Sequence, residues 1–250
     1  MKSAYILSIT LSLLAFVGFS YFTYTKYIES HPRKFGVTTD YNCYMFAIQW
    51  PLGVCAKDGS SCYRRMAMTP KLANTIHGLW PGYYGERPIP YCNDGIPVDV
   101  EDDGSALFIE MRKYWPSLKG PNENFWNHEF NKHGYCYTQK IGTEKYQSYF
   151  YKGLEVLKYN GYNNLVVNAL GTHSGEYEMD FYSLKTALES YLGGSVFQFQ
   201  CVRSGYSQYL SEIRIQLDLN FKPIETEFRS NCNTRNTVII PYEELSQVKN

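Results

Sequence analysis

Residues Tyr209–Leu219 read YLSEIRIQLDL, the most regular alternation in the chain. Ile213, Ile215, Leu217 and Leu219 fall on one side of an extended segment, with Glu212, Arg214, Gln216 and Asp218 on the other. A period of two predicts a half-buried strand. Val196–Val202 repeats it, with Phe197, Phe199 and Cys201 set against Gln198 and Gln200. Tyr41–Trp50 (YNCYMFAIQW) is apolar and aromatic throughout and ends at Pro51, as expected of a buried strand. Thr75–Leu79 reads as a further strand. Helical spacing appears between them. Ser105–Trp115 groups Leu107, Met111 and Tyr114 and stops at Pro116. Thr143 is placed to cap a helix running to about Tyr159, with Tyr146, Phe150, Leu154 and Leu157 inward. Asp180–Leu192 makes a third helix, closed by Gly193-Gly194. The combination predicts an α+β fold: a central, largely antiparallel sheet flanked by several helices.

The 250 residues can bury one sizeable core. With 17% aromatic and 19% charged residues the chain is globular and not disordered. One domain is expected over residues 40–250, after a short polar segment at 21–39. Lysines and arginines number 24 and acids 24, so no basic excess is available to hold nucleic acid through its phosphates over a wide surface. A nucleic-acid ligand would have to be gripped locally, by stacking and a few cations. Lys2, the apolar run Ala4–Phe19 and the small residues Gly18 and Ser20 have the shape of a secretory signal peptide over residues 1–20. An uncleaved anchor is the alternative, because Tyr21–Tyr24 extends the run to about a membrane span. Seven cysteines suit an oxidising compartment; Cys43, inside a strand-like run, is expected to be the odd one, a buried thiol. There is no Asn-x-Ser/Thr sequon.

Chemistry concentrates in Asn74–Pro81 (NTIHGLWP) and Phe125–Cys136 (FWNHEFNKHGYC), which hold three of the five histidines. Phe125–His133 is predicted to be helical, ending at Gly134 in a left-handed cap. At about 100° per residue, Glu129, Lys132 and His133 then share a face, with His128 at its edge. His77 arrives from a strand. One carboxyl, one ammonium and several imidazoles can move protons on and off a phosphodiester without a metal. A zinc site would want two histidines four apart on one helix face. Here His128 and His133 are five apart, which turns the second ring about 140° from the first. His31 and His173 lie in polar stretches and read as ordinary structural polar residues.

Both motifs resemble the active-site signatures of the ribonuclease T2 family of secreted and lysosomal or vacuolar acid ribonucleases. The resemblance extends to YMFAIQWP, similar to the family's first strand, and to six cysteines, and covers about residues 40–235. It implies the α+β fold, disulfides Cys55–Cys62, Cys92–Cys136 and Cys201–Cys232, and cleavage of single-stranded RNA with no metal or other cofactor. The 2′-hydroxyl would attack the adjacent phosphorus to give a 2′,3′-cyclic phosphate, hydrolysed more slowly. By the same resemblance His133 is the base, His77 the acid, Lys132 and Glu129 stabilise the transition state, and His128 contacts phosphate. Trp80 with Tyr83 or Tyr84 would hold the base 5′ of the cut, and Gln49 with the 121–125 segment, Phe125 included, the other base. A secreted or lysosomal/vacuolar monomer is implied, with no membrane contact once the leader is removed. Phe130, Tyr135 and Gly82 depart from the commoner Trp, Thr and Asp or Asn. Ser61 and Lys119 stand where many members carry another cysteine pair. The alternative is a catalytically silent binding protein on the same scaffold.

Overall fold

The computed structural model describes residues 38–92, 95, 97–194, 197–225 and 230–243. The leader at 1–20, nearly all of the 21–39 segment and Val196 lie outside these. Among the described residues, six strands form one sheet. They are β1 (Cys43–Gln49), β2 (Thr75–Gly82), β3 (Glu176–Asp180), β4 (Phe197–Ser204), β5 (Ser207–Leu217) and β6 (Thr237–Pro241). The order is β2-β1-β5-β6-β3, with β4 also on β5. All pairings are antiparallel except the short parallel contact of β5 with β6 at Tyr209 and Ile239. The helices are α1 (Pro51–Val54), α2 (Ser60–Arg65), α3 (Ala106–Tyr114), α4 (Asn122–Glu129), α5 (Tyr135–Lys140), α6 (Gln147–Tyr159), α7 (Leu165–Leu170) and α8 (Phe181–Leu192). None is long and apolar enough to cross a membrane.

Strand alternation decides what each side of the sheet does. Tyr44, Phe46 and Ile48 of β1 stand opposite Leu217, Ile215 and Ile213 of β5, and all six belong to the main core. Met45 and Ala47 point the other way and cluster only with Trp80. On that second side β5 places Glu212, Arg214 and Gln216 beside Gln198 and Gln200 of β4. The alternation in β5 suggested a solvated polar face. Instead Glu212 and Gln216 are almost fully buried, because that face floors a cleft.

Three further features differ from expectation. Strands β3 and β6 were not foreseen: β3 (EYEMD) is mostly polar and alternates between exposed and half-buried residues, and β6 is a five-residue edge pairing. Thr143 does not cap α6; its hydroxyl accepts from the Lys145 amide at 3.2 Å, and the helix opens at Gln147. Gly134 is not a left-handed cap. Its φ is −67°, and the chain runs from α4 through a π-helical turn, Phe130–Gly134, directly into α5. Glycine is needed there for space, since a Cβ would lie 2.7 Å from the rings of Phe130 and Tyr149.

Three disulfides, Cys55–Cys62, Cys92–Cys136 and Cys201–Cys232, staple the fold, and Cys43 is a buried free thiol. Arg65 donates to the Gly120 carbonyl at 2.7 Å, joining the segments that carry Ser61 and Lys119. Gly134→Ala is expected to lower stability by about 1–3 kcal/mol through overpacking. Thr143→Ala should change it by less than about 0.5 kcal/mol. Urea unfolding of both variants checks the pair.

Candidate active site

His77 reaches the cleft through a β-bulge. In the β1–β2 ladder Ala47 faces Gly78 and Ile48 faces Ile76, which leaves His77 as the extra residue. Bulges re-aim side chains in this way. Its backbone is held from behind by Trp115, whose indole donates to the His77 carbonyl at 2.9 Å. Trp126 in turn donates to the Trp115 carbonyl at 2.7 Å and is wholly buried. It acts as core, like Phe108 beside it.

Trp80 occupies the centre. Its Nε1 donates to Glu129 Oε2 at 2.8 Å, its edge meets the His77 ring at 5.0 Å between centroids, and His133 lies against it at 5.3 Å. The Arg214 guanidinium sits over the ring at 5.3 Å. Only 7% of Trp80 is exposed, so its faces are largely occupied by protein. Gly78 makes this possible: any Cβ there would overlap Trp80 Nε1 and Glu129 Oε2.

The second motif supplies the opposite wall. Glu129 ends α4, and Lys132 and His133 lie in the π turn. The turn is anchored by Cys92, whose amide donates to the Lys132 carbonyl at 2.9 Å, and by the Cys92–Cys136 bridge. Glu129 and His133 are buried, Lys132 half-buried and His128 exposed. All four line, with His77 and Trp80, a cavity of about 710 Å³. A second cavity of about 330 Å³ is lined by Gln49, Ser117, Leu118, Phe125, Glu212 and others. His77, Gln200 and Arg214 border both, so His77 stands on the divide between them. Gln49 and Phe125 are therefore gathered on one side of His77, and Trp80 on the other. Tyr83 packs against the core, Tyr84 is exposed, and neither lines these cavities.

The residue missed in the sequence is Glu212. Its Oε2 lies 2.5 Å from His77 Nδ1, and its Oε1 accepts from Arg214 Nε at 2.5 Å. Nothing in the strand marked it out, since an acid in an alternating pattern reads as a solvated residue. The only signal available was that Glu212 and Arg214 sit two apart, on one face, across from Gln200 and Gln198.

These surroundings drive the two buried imidazoles apart. Burial alone lowers the pKa of His77, but the Glu212 carboxylate and its hydrogen bond, aided by Glu129, outweigh burial and raise it. His133 goes well below the ordinary value, first through burial and then through Lys132, His77 and His128. Its buried Nδ1 has no hydrogen-bond partner. Protonation would make both ring nitrogens donors and strand one of them, so the neutral form is favoured again. His128, though exposed, is also lowered, first by partial desolvation and then by Lys132 and His77. Glu129 is raised by burial despite the opposing pull of His77, Trp80 and Lys132. For Glu212 burial acts upward, yet His77 and Arg214 prevail and lower it. The site thus pairs an imidazole whose proton is held more tightly than usual with one whose proton is held less tightly, an arrangement suited to acid–base chemistry. Among the described residues no group of three or more His, Cys, Asp or Glu is arranged to hold a metal ion.

A family model described as the ribonuclease T2 family matches residues 41–233. Ribonuclease Oy of Magallana gigas is 38% identical over 125 residues, 48% of this chain and 56% of that protein. Intracellular ribonuclease LX of Solanum lycopersicum is 32% identical over 162 residues, 63% of this chain and 65% of that protein. The chain thus spans between about half and two thirds of these curated relatives. Among solved structures, the RNase-related protein from Calystegia sepium superposes with a TM-score of 0.61 at 22% identity, covering 80% of this chain and 97% of its own, a likeness of fold. Glu212→Gln is expected to move the titration of His77 to lower pH and leave that of His133 nearly unchanged, as read from imidazole NMR shifts.

Proposed function

The chain belongs to the ribonuclease T2 family, and from that premise we propose that it is an endoribonuclease whose catalytic domain spans residues 40–250 and which cleaves single-stranded RNA without a metal. What carries this reading is the pair of imidazoles that both meet Trp80 and have oppositely shifted proton affinities. His133, neutral, takes the proton of the 2′-hydroxyl as that oxygen bonds to phosphorus. His77, protonated, gives its proton to the 5′-oxygen as the old P–O bond breaks. The products are a 2′,3′-cyclic phosphate and a free 5′-hydroxyl. In a slower second step water attacks the cyclic ester and the two histidines exchange roles.

The remaining side chains follow from charge. The pentacoordinate phosphorane gains negative charge, which Lys132 offsets and His128 can approach from the open side. A raised Glu129 carries a proton more readily than an exposed acid, so it can sit beside a phosphate with little repulsion while it holds Trp80 in place. Glu212 orients His77 through Nδ1 and leaves Nε2 for the leaving oxygen. Gln49 and Phe125 suit one base in the smaller cavity; Trp80, with Tyr83 and Tyr84 nearby in sequence, borders the space for the other. Base stacking tolerates any sequence and contributes about 1–3 kcal/mol per base. Three disulfides fit a secreted protein or one held in a lysosomal or vacuolar lumen.

The pH dependence has a definite sign. Below the lowered pKa of His133 the base is protonated and the rate falls; above the raised pKa of His77 the acid is lost and the rate falls again. kcat/KM for single-stranded RNA should therefore plateau on both sides of pH 6.5, the ordinary imidazole value. Excess EDTA should not alter it. His77→Ala and His133→Ala should each lose at least about 10²-fold. Glu212→Gln should pull in the alkaline limb alone. Undiminished cleavage by His133→Ala, or abolition by EDTA, defeats the reading; complete inactivity of the wild type at every pH would favour the silent binding protein.

A further inference from the structure

One wall of the larger cavity holds a polar group that the proton transfers do not use. Gln198 of β4 lines it and is only 4% exposed, yet its Nε2 has no hydrogen-bond partner. A buried amide donor without an acceptor is costly and uncommon in a folded protein. Gln198 stands directly opposite Arg214 in the β4–β5 register. Arg214 spends Nε on Glu212, and among the described residues its terminal nitrogens donate to no protein group. Arg87, exposed on the loop between β2 and Cys92, faces the same cavity from another side. The cluster brings two guanidinium cations together with an unpartnered amide N–H. The Met45, Pro88, Ile89 and Pro90 side chains between them are apolar.

We propose that Gln198, Arg214 and Arg87 form a subsite for a second phosphate of the RNA, the one flanking the cleaved phosphate on its 5′ side. The assignment rests on the ribonuclease reading, which puts the scissile phosphate at His77 and the 5′ nucleotide on the Trp80 side. Beyond that nucleotide the next group along the strand is a phosphate, and two cations beside an unpartnered amide N–H suit its oxygens. A base is the weaker match, because it carries no negative charge for the two guanidinium groups to offset.

The test compares UpU with pUpU, which differ by that one phosphate, in wild type, Gln198→Leu and Arg87→Gln. Gln198→Leu keeps volume and removes the donor; Arg87→Gln alters an exposed loop and leaves the sheet intact. kcat/KM should favour pUpU by about tenfold in the wild type, and each variant should lose most of that preference. UpU cleavage should stay within about twofold. Arg87→Gln should also lower the slope of log kcat/KM for pUpU against log salt by about 0.7. Equal values for UpU and pUpU in the wild type, equal losses on both substrates, or losses that track the base and not the phosphate would each overturn the subsite. Binding of the 2′-deoxy analogues, which cannot be cleaved, separates this from the function itself. A Gln198-dependent gain from the 5′-phosphate in binding, with no cleavage of UpU or pUpU, would keep the subsite and sink the ribonuclease reading. Cleavage of both with no such gain would do the reverse.

Discussion

The hydrogen bond from the Trp80 indole to the Glu129 carboxyl, 2.8 Å long and buried, joins the strand bearing one histidine to the helix end bearing the other. Two partners this deep must satisfy each other, because neither can turn to water. Gly78 is fixed by the same contact, having no room for a side chain. The Cys92–Cys136 bridge and the Cys92–Lys132 backbone bond repeat the connection a short way along. By the chain-entropy account that bridge contributes about 4 kcal/mol. Segments some fifty residues apart are thereby held as one rigid wall.

Charge is arranged around that wall so that neighbouring groups cannot all be ionised alike. Glu212 sits at hydrogen-bonding distance from His77 and is itself held by Arg214, so the carboxylate and the imidazolium stabilise each other. His133 has no such partner; burial first and then Lys132 favour its neutral form. Identical side chains are biased in opposite directions because of which element supplies their neighbour: β5 serves His77, and the π turn serves His133. The sheet's floor is a working part of the site as well as a support.

Behind the site the aromatic core sets position. Trp126 holds Trp115, which holds the His77 carbonyl; Tyr149 accepts from the Leu79 amide at 3.2 Å. Phe130, Phe150, Tyr146 and Tyr149 pack round these with ring centroids about 5–6.5 Å apart, within the range in which aromatic pairs attract. Such a core leaves few ways to shift, and reacting groups on top of it inherit that rigidity.

Local pattern and residue chemistry were enough to identify β1, β2, β4, β5 and the helices α3, α6 and α8 to within a few residues, because periodicity and punctuation by Pro and Gly act over short range. They also singled out the two motifs, since dense clusters of His, Glu and Lys stand out in any context. Cys43 as the lone thiol followed from its place inside an apolar strand. What the chain could not show locally is which side of a strand becomes a cleft. Glu212 and Gln198 look solvated in the sequence and are buried in the fold, with Arg214 half-buried beside them, because β1, β4 and β5 come together only through long-range pairing. The bulge that aims His77 is likewise a mismatch between two strands and is visible in neither alone. Gly134 shows the same limit from the other side. Its identity suggested a helix end, whereas the ring of Tyr149, fifteen positions on, is what requires it. Residue types and their short-range spacing thus selected the chemistry. Partners distant in sequence decided its geometry and proton affinities, because burial and electrostatic coupling depend on distance in space.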